Sequence, residues 1–190
     1  MSRFIQTIMH SRIATLVGCL ALFSLFSEVA KASDSAQRPI NPGGDYLYPK
    51  DSQYIPDKQA HYKIVFNLTK GVDDYTKINP SLNRVARTVN LYVASGVPLE
   101  NLTLVAVVSS DAAPLVLADE PYKKHFGVSN PNLSLIDQLQ QAGVKLTVCA
   151  QSVDGKPYPR AEVYPPVGVA LSALTTVTLL QQQGYALLQL

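Results

Sequence analysis

Gly143-Val144-Lys145-Leu146-Thr147-Val148-Cys149-Ala150-Gln151-Ser152 is the stretch whose reading decides the fold. Gly143 closes the helical pattern before it, and Val144, Leu146 and Val148 then alternate with Lys145 and Thr147 as a strand. The strand ends on a cysteine. In an α/β protein, chemistry gathers at the carboxyl ends of strands, because the loops there are free of the packed sheet. Cys149 stands at such an end, either as a reactive thiol or as a small buried hydrophobe, a place free cysteine often takes. Position alone leaves both readings open.

On the N-terminal side of this strand, Asn130-Pro131-Asn132 restarts the chain. Leu133, Ile136 and Leu139 then give a short amphipathic helix up to Ala142-Gly143. Before it, Asp119 to Phe126 reads as a surface helix stopped by Gly127, and His125, with no acidic or cysteine partner in sequence, reads as exposed. Tyr62 to Leu68 and Leu102 to Val108 have the near-continuous apolar centres of strands covered on both faces. Between them, Asn79-Pro80 caps and opens a helix whose Leu82, Val85, Ala86, Val89, Tyr92 and Val93 share one face, and Ser95-Gly96 ends it. Strand, helix and strand in this order imply a parallel pair with a right-handed crossover.

On the C-terminal side, residues 152–166 form a loop with Lys156, Arg160 and several prolines. Val167, Val169 and Leu171 alternate as a fourth strand, Ser172 caps a helix through Gln183, and Tyr185 to Leu190 closes the sheet. Thr175-Thr176-Val177-Thr178 has poor helix propensity, so packing must hold that helix. Five strands alternating with helices over residues 61–190 give an α/β three-layer sandwich around a mostly parallel five-stranded sheet.

Cys149 is the candidate catalytic residue, served by the backbone N–H groups that follow it, by Gln151, and by Lys156 and Arg160 in the next loop. Ser110 and Asp111 follow the second strand, where they orient a substrate or cap the helical turn near Pro114. Asp73-Asp74 suggests a metal, but no further ligand lies nearby and a solvated loop is the simpler reading. No Cys/His cluster at zinc spacing, phosphate-binding glycine loop, G-x-S-x-G elbow or H-E-x-x-H occurs, so no metal and no cofactor is expected.

Residues 1–32 read as an export signal, with Arg3 and Arg12, an apolar run from Ile13 to Phe26, and Ala30-Lys31-Ala32 as the cleavage pattern. Cleavage near Ala32 removes Arg3, Arg12 and Lys31 from sixteen basic residues and Glu28 from fourteen acidic ones, leaving thirteen of each. A formally neutral mature chain without a basic cluster argues against nucleic acid and against an anionic membrane surface. Loss of Cys19 leaves Cys149 as a lone thiol in an oxidising, periplasmic compartment. Residues 33–60 form a Pro/Tyr-rich extension whose Tyr46, Tyr48 and Tyr54 pack on the body or a neighbouring subunit, or else belong to a loose leader.

From about Tyr62 to Leu190 the chain resembles the DsrE/DsrF-like (YchN-like) family. The resemblance is carried by Asn79-Pro80 through Ser95-Gly96, by Tyr122 through Val128, and by Asn130-Pro131-Asn132-Leu133 running into Gly143 through Ser152. Val169 through Thr175 and Gln182-Gln183-Gly184-Tyr185 add to it. The resemblance implies α/β subunits assembled as homo-oligomers, trimers or hexamers. It also implies, for Cys149, a sulfane sulfur held as a persulfide and exchanged with a sulfur donor or acceptor protein. Ser110-Asp111 stands where many exported relatives carry His-Gly, so thiol assistance from that histidine is missing. The alternative is a non-catalytic oligomeric ligand-binding or structural module with a buried cysteine.

Overall fold

A computed structural model describes residues 38–49, 51–155 and 157–190. The expected signal segment 1–32, the first residues of the extension and Lys156 lie outside the described residues. Five strands, β1 (Tyr62–Leu68), β2 (Leu102–Val108), β3 (Lys145–Cys149), β4 (Gly168–Ala170) and β5 (Ala186–Gln189), form one sheet in the order β4-β3-β2-β1-β5. Every adjacent pair is parallel. The helices are α1 (Pro80–Ala94), α2 (Asp119–Phe126), α3 (Leu133–Gln141), α4 (Ala150–Asp154) and α5 (Ala173–Gln182).

The strand order dictates the layers. β1 through β4 step across the sheet in one direction, and the chain then jumps from β4 over to β5 at the opposite edge. Right-handed crossovers place helices of opposite steps on opposite faces. Accordingly α1, α3 and α4 pack against Ile64, Phe66, Leu68, Leu104, Ala106, Val108, Leu146 and Val148, the even-numbered side chains of the first three strands. Helix α5 packs on the odd-numbered ones, Val65, Val105, Val107 and Cys149. Side chains alternate along a strand, so one continuous sequence serves both layers.

Helix α1 anchors the thick layer. Asn79 Oδ1 accepts the N–H groups of Ser81 at 2.8 Å and Leu82 at 3.3 Å, and Pro80 stands at the first helical position, where its missing N–H costs nothing. Leu82, Val85, Ala86 and Val89 are fully buried, and each of the larger three contributes about 1.5–3 kcal/mol.

The extension is bound to α1 along its first part. Ile40 is fully buried in the main core. Asn90, also fully buried, accepts the Ile40 N–H at 3.2 Å and donates to the carbonyls of Ile40 at 3.0 Å and Gly44 at 3.2 Å. Gly44 makes this approach feasible: its φ is +64°, and a Cβ there would lie 2.7 Å from the Ala86 carbonyl carbon. Arg87 donates from Nε to the Asp45 carbonyl at 2.6 Å and so fastens the extension to α1. Farther on, Tyr48 donates to Ser95 Oγ at 3.3 Å, while Tyr54 is 98 % exposed.

The C-terminal third is thinner. β4 has three residues, and of the expected alternation only Val167 is buried, while Val169 and Leu171 are exposed. Ser172 caps α5 as the sequence suggests, accepting the Leu174 N–H at 3.2 Å. Ala173 is the buried residue of that helix.

Candidate functional site

The chain leaves β3 into α4, whose Val153 joins the thick layer, but leaves β4 into α5 on the opposite face. Neighbouring strands whose connections part in this way open a crevice at the carboxyl edge of the sheet, the usual ligand position in open α/β folds. Cys149 is the last residue of β3 and pairs in register with Ala170 of β4, which puts it in that crevice on the α5 side.

Its thiol is free and only 4 % exposed, packed with Val65, Val105, Val107 and Ala173. Burial is the largest single influence on it and pushes the thiol up. Hydrogen-bond donors outweigh burial: the Ser152 hydroxyl and the backbone N–H groups of Ala173, Ser152 and Gln151 together hold Cys149 below the ordinary thiol value. The sulfur closes no capping bond on α4, so these groups act on it as polar neighbours. Among the described residues, none of the groups that lower it is a charged side chain.

The donors come from two directions. Gln151 and Ser152 follow Cys149 in α4, and Ala173 opens α5 across the crevice. The Gln151 side chain spans the same gap, donating from Nε2 to the Leu171 carbonyl at 3.3 Å. Ser152 Oγ accepts the Ser110 backbone N–H at 2.9 Å, which ties the end of β2 to the site. Ser110 therefore contributes through its backbone, from a left-handed φ of 53°.

The remaining candidates go elsewhere. Asp111 lines a cavity of about 10 Å³, the size of one water, with Gly71, Tyr75, Asn79 and Tyr122. Arg160 makes two bonds to Asp154, from Nε at 2.9 Å and Nη2 at 2.5 Å, which closes the loop after α4 and lowers the Asp154 carboxyl. Asp74 accepts from Thr76 Oγ1 at 2.5 Å and Thr76 N at 3.0 Å, so this turn, with Lys77 beside it, holds its carboxyl down at about 2. Among the described residues no group of three or more His, Cys, Asp or Glu is placed to hold a metal ion.

Two features escape a reading of the sequence. His125 is half-buried, with Nε2 2.8 Å from Glu162 Oε2 and its ring edge-on to Tyr158, so the expectation of an exposed, unpartnered histidine is corrected. Glu162 is 37 residues away, beyond any local pattern. Ser152 is the second. Its signal was present as a hydroxyl three residues after Cys149, the spacing that returns a side chain to the same side of a helical turn.

Residues 62–190 match the family model described as DsrE/DsrF-like family. A solved protein of unknown function from Methanobacterium thermoautotrophicum is similar at 18% sequence identity and a TM-score of 0.47, covering 68% of this chain and 99% of that one. No protein among the curated ones matches the chain.

Proposed function

The chain belongs to the DsrE/DsrF-like family over residues 62–190, and from that premise we propose that it relays sulfane sulfur as a persulfide on Cys149. The observation that carries this reading is the place of Cys149 at the carboxyl end of β3, in register with Ala170 of β4, with Gln151, Ser152 and Ala173 around a thiol held below its ordinary value. Sulfur transfer needs a thiolate, because the thiol is a poor nucleophile. The Cys149 thiolate attacks the terminal sulfur of a donor persulfide. A new S–S bond forms to Sγ, the donor S–S bond breaks, and the donor departs as a thiolate. An acceptor thiolate then attacks the outer sulfur, and Cys149 leaves as the thiolate it began as. Each exchange conserves electrons and needs no oxidant. Donor and acceptor are thiol-bearing proteins or small persulfides.

The same reading makes the protein an exported, periplasmic homo-oligomer, a trimer or a hexamer. The composition of residues 1–32 supports export. Assembly is supported by Leu171 and Leu174, which are 73 % and 81 % exposed beside the crevice. Intact mass of the secreted protein tests cargo and export together. After incubation with polysulfide it should show a chain beginning near Ser33 plus about 32 Da that reductant removes. A gain of about 16 Da instead would mark a sulfenic acid and a redox sensor.

The 4 % exposure of Cys149 favours one competing reading, a non-catalytic ligand-binding or structural module with a buried cysteine. Titration of the native protein with a thiol reagent separates the two. Stoichiometric modification near neutral pH supports the carrier, and modification only after denaturation supports the module.

A further inference from the structure

The extension from Leu47 to Pro56, which precedes the residues matched by the family model, leaves a groove of about 330 Å³ against α1, with Leu91 and Tyr92 of the helix among its walls. Among the described residues no charged side chain lines it. Its hydroxyls are engaged with the backbone: Ser52 Oγ donates to the Pro49 carbonyl at 2.7 Å, Thr88 Oγ1 to the Arg84 carbonyl at 2.9 Å, and Ser95 Oγ to the Leu91 carbonyl at 2.8 Å. Around the groove Leu47 is 88 % exposed, Tyr54 98 %, Ile55 45 % and Tyr48 41 %. Tyr54 is also held at a φ of 55°, an outlier for a bulky residue. A ring so exposed gains almost nothing from its own subunit in return for that backbone.

We propose that this groove is a contact between two copies of the chain, in which Tyr54 of each copy enters the groove of the other. Projecting ring and recess lie on one patch, so a single two-fold axis satisfies both, as an isologous contact requires. A cavity of roughly 150 Å³ already accepts benzene, so the groove has room for a tyrosine ring. The lack of charge suits self-association, because a charge near the axis would meet its own like. A small ligand fits the patch less well. Sites for such ligands carry a few directing polar groups, whereas the hydroxyls here are engaged, and a molecule in the groove would leave Leu47 and Tyr54 in water. At roughly 200 Å² for a fully exposed large residue, the four exposed residues offer about 500 Å² per copy and about 1,000 Å² across two, where specific interfaces begin. A contact of that size is weak. It adds to the homo-oligomer a surface on the opposite face of the sheet from Leu174, and it does not depend on sulfur at Cys149.

The test is photo-cross-linking of the full chain carrying Tyr54→p-benzoylphenylalanine, at roughly 1 mM, where a contact of millimolar or tighter affinity is populated. Ordinary and heavy-isotope protein are mixed in equal amounts, irradiated and digested. The expected product joins position 54 of one isotope to the α1 peptide holding Leu91 and Tyr92 of the other. Same-isotope products alone, or none, would overturn the proposal. Sedimentation equilibrium gives a second measure. Tyr54→Phe should keep wild-type self-association, because the groove is apolar, and Tyr54→Gly should weaken it at least tenfold. Glycine accepts the left-handed backbone, so the urea midpoint of that variant should not fall. Equal association of the glycine variant and wild type would also sink the contact and leave the groove to a small apolar molecule. A trimer or hexamer that forms without inter-copy cross-links at position 54 removes this contact and keeps the assembly reading. Inter-copy cross-links that persist in Leu174→Lys protein, with its assembly lost, do the reverse.

Discussion

Cys149 meets two opposite requirements, and its variants separate them. A buried cysteine in apolar surroundings ordinarily tolerates alanine better than serine, whose hydroxyl would lack a partner. Here the N–H groups of Gln151, Ser152 and Ala173 lower the thiol, so a serine oxygen should find donors there and alanine should offer them none. We expect Cys149→Ser to match wild type in urea denaturation within about 1 kcal/mol, and Cys149→Ala to lose about 1–3 kcal/mol. Neither variant should load sulfur. Alanine proving the milder change would mean that the donors do not act on this position. The cysteine itself was legible, because a thiol at the end of an alternating strand stands out in one dimension. Its helpers were legible in part: the backbone N–H groups that follow it and Gln151 stand next to it in the sequence, whereas Ala173 lies across the crevice. Arg160 is held by Asp154. A backbone N–H from a distant element has no side-chain signature, and the left-handed bend at Ser110 occurs at a residue that does not announce it.

At the scale of the elements, β1 and β2 were readable because both faces of their centres are covered, which makes Ile64 to Phe66 and Leu104 to Val108 continuous apolar runs. Helix α1 was equally plain from Asn79-Pro80 at one end and Ser95-Gly96 at the other. The extension was not, since proline, glycine and tyrosine describe a loose leader and a strapped segment alike. The strap depends on Asn90, which satisfies Ile40 and Gly44 with one amide, and on Ile40 filling a core position. Asn90→Ala orphans three buried backbone groups and should cost about 2–4 kcal/mol. Ile40→Ala should cost about 2–5 kcal/mol through the void it leaves. In both variants, limited proteolysis should cut between residues 45 and 60 sooner than in wild type. Unchanged cleavage and unchanged urea midpoints would show the strap to be incidental. Deleting residues 38–49 therefore removes part of the subunit core, so loss of assembly after such a truncation would not by itself place the arm on a neighbour.

For the whole molecule, the two faces of the sheet are covered unequally, and α5 shows it most clearly. Its Thr175-Thr176-Val177-Thr178 run costs helix stability, and Ala173 is the residue it buries. The hydroxyls of Thr176 and Thr178 return to backbone carbonyls at 2.7 Å, which satisfies them without adding apolar burial. Meanwhile Leu171, Leu174 and Leu179 stay exposed beside the open edge strands, each able to contribute about 1.5–3 kcal/mol if covered. A second copy laid over this strip would supply the packing the helix lacks within one subunit. It would also stand at the crevice, because Leu171 accepts from Gln151 and Ala173 packs with Cys149. Leu174→Lys places a charge in the middle of the strip while leaving the subunit core untouched. Sedimentation velocity should show wild type as the proposed trimer or hexamer at micromolar concentrations and the variant as a monomer, with its circular dichroism unchanged. If the covering subunit also restricts the crevice, Cys149 in that monomer should react faster with a small thiol reagent. Wild type sedimenting as a monomer over the same range would remove the second copy from this face. Assembly lost without faster modification would instead keep the interface and place the entrance to Cys149 within one subunit, between Gln151 and Leu171.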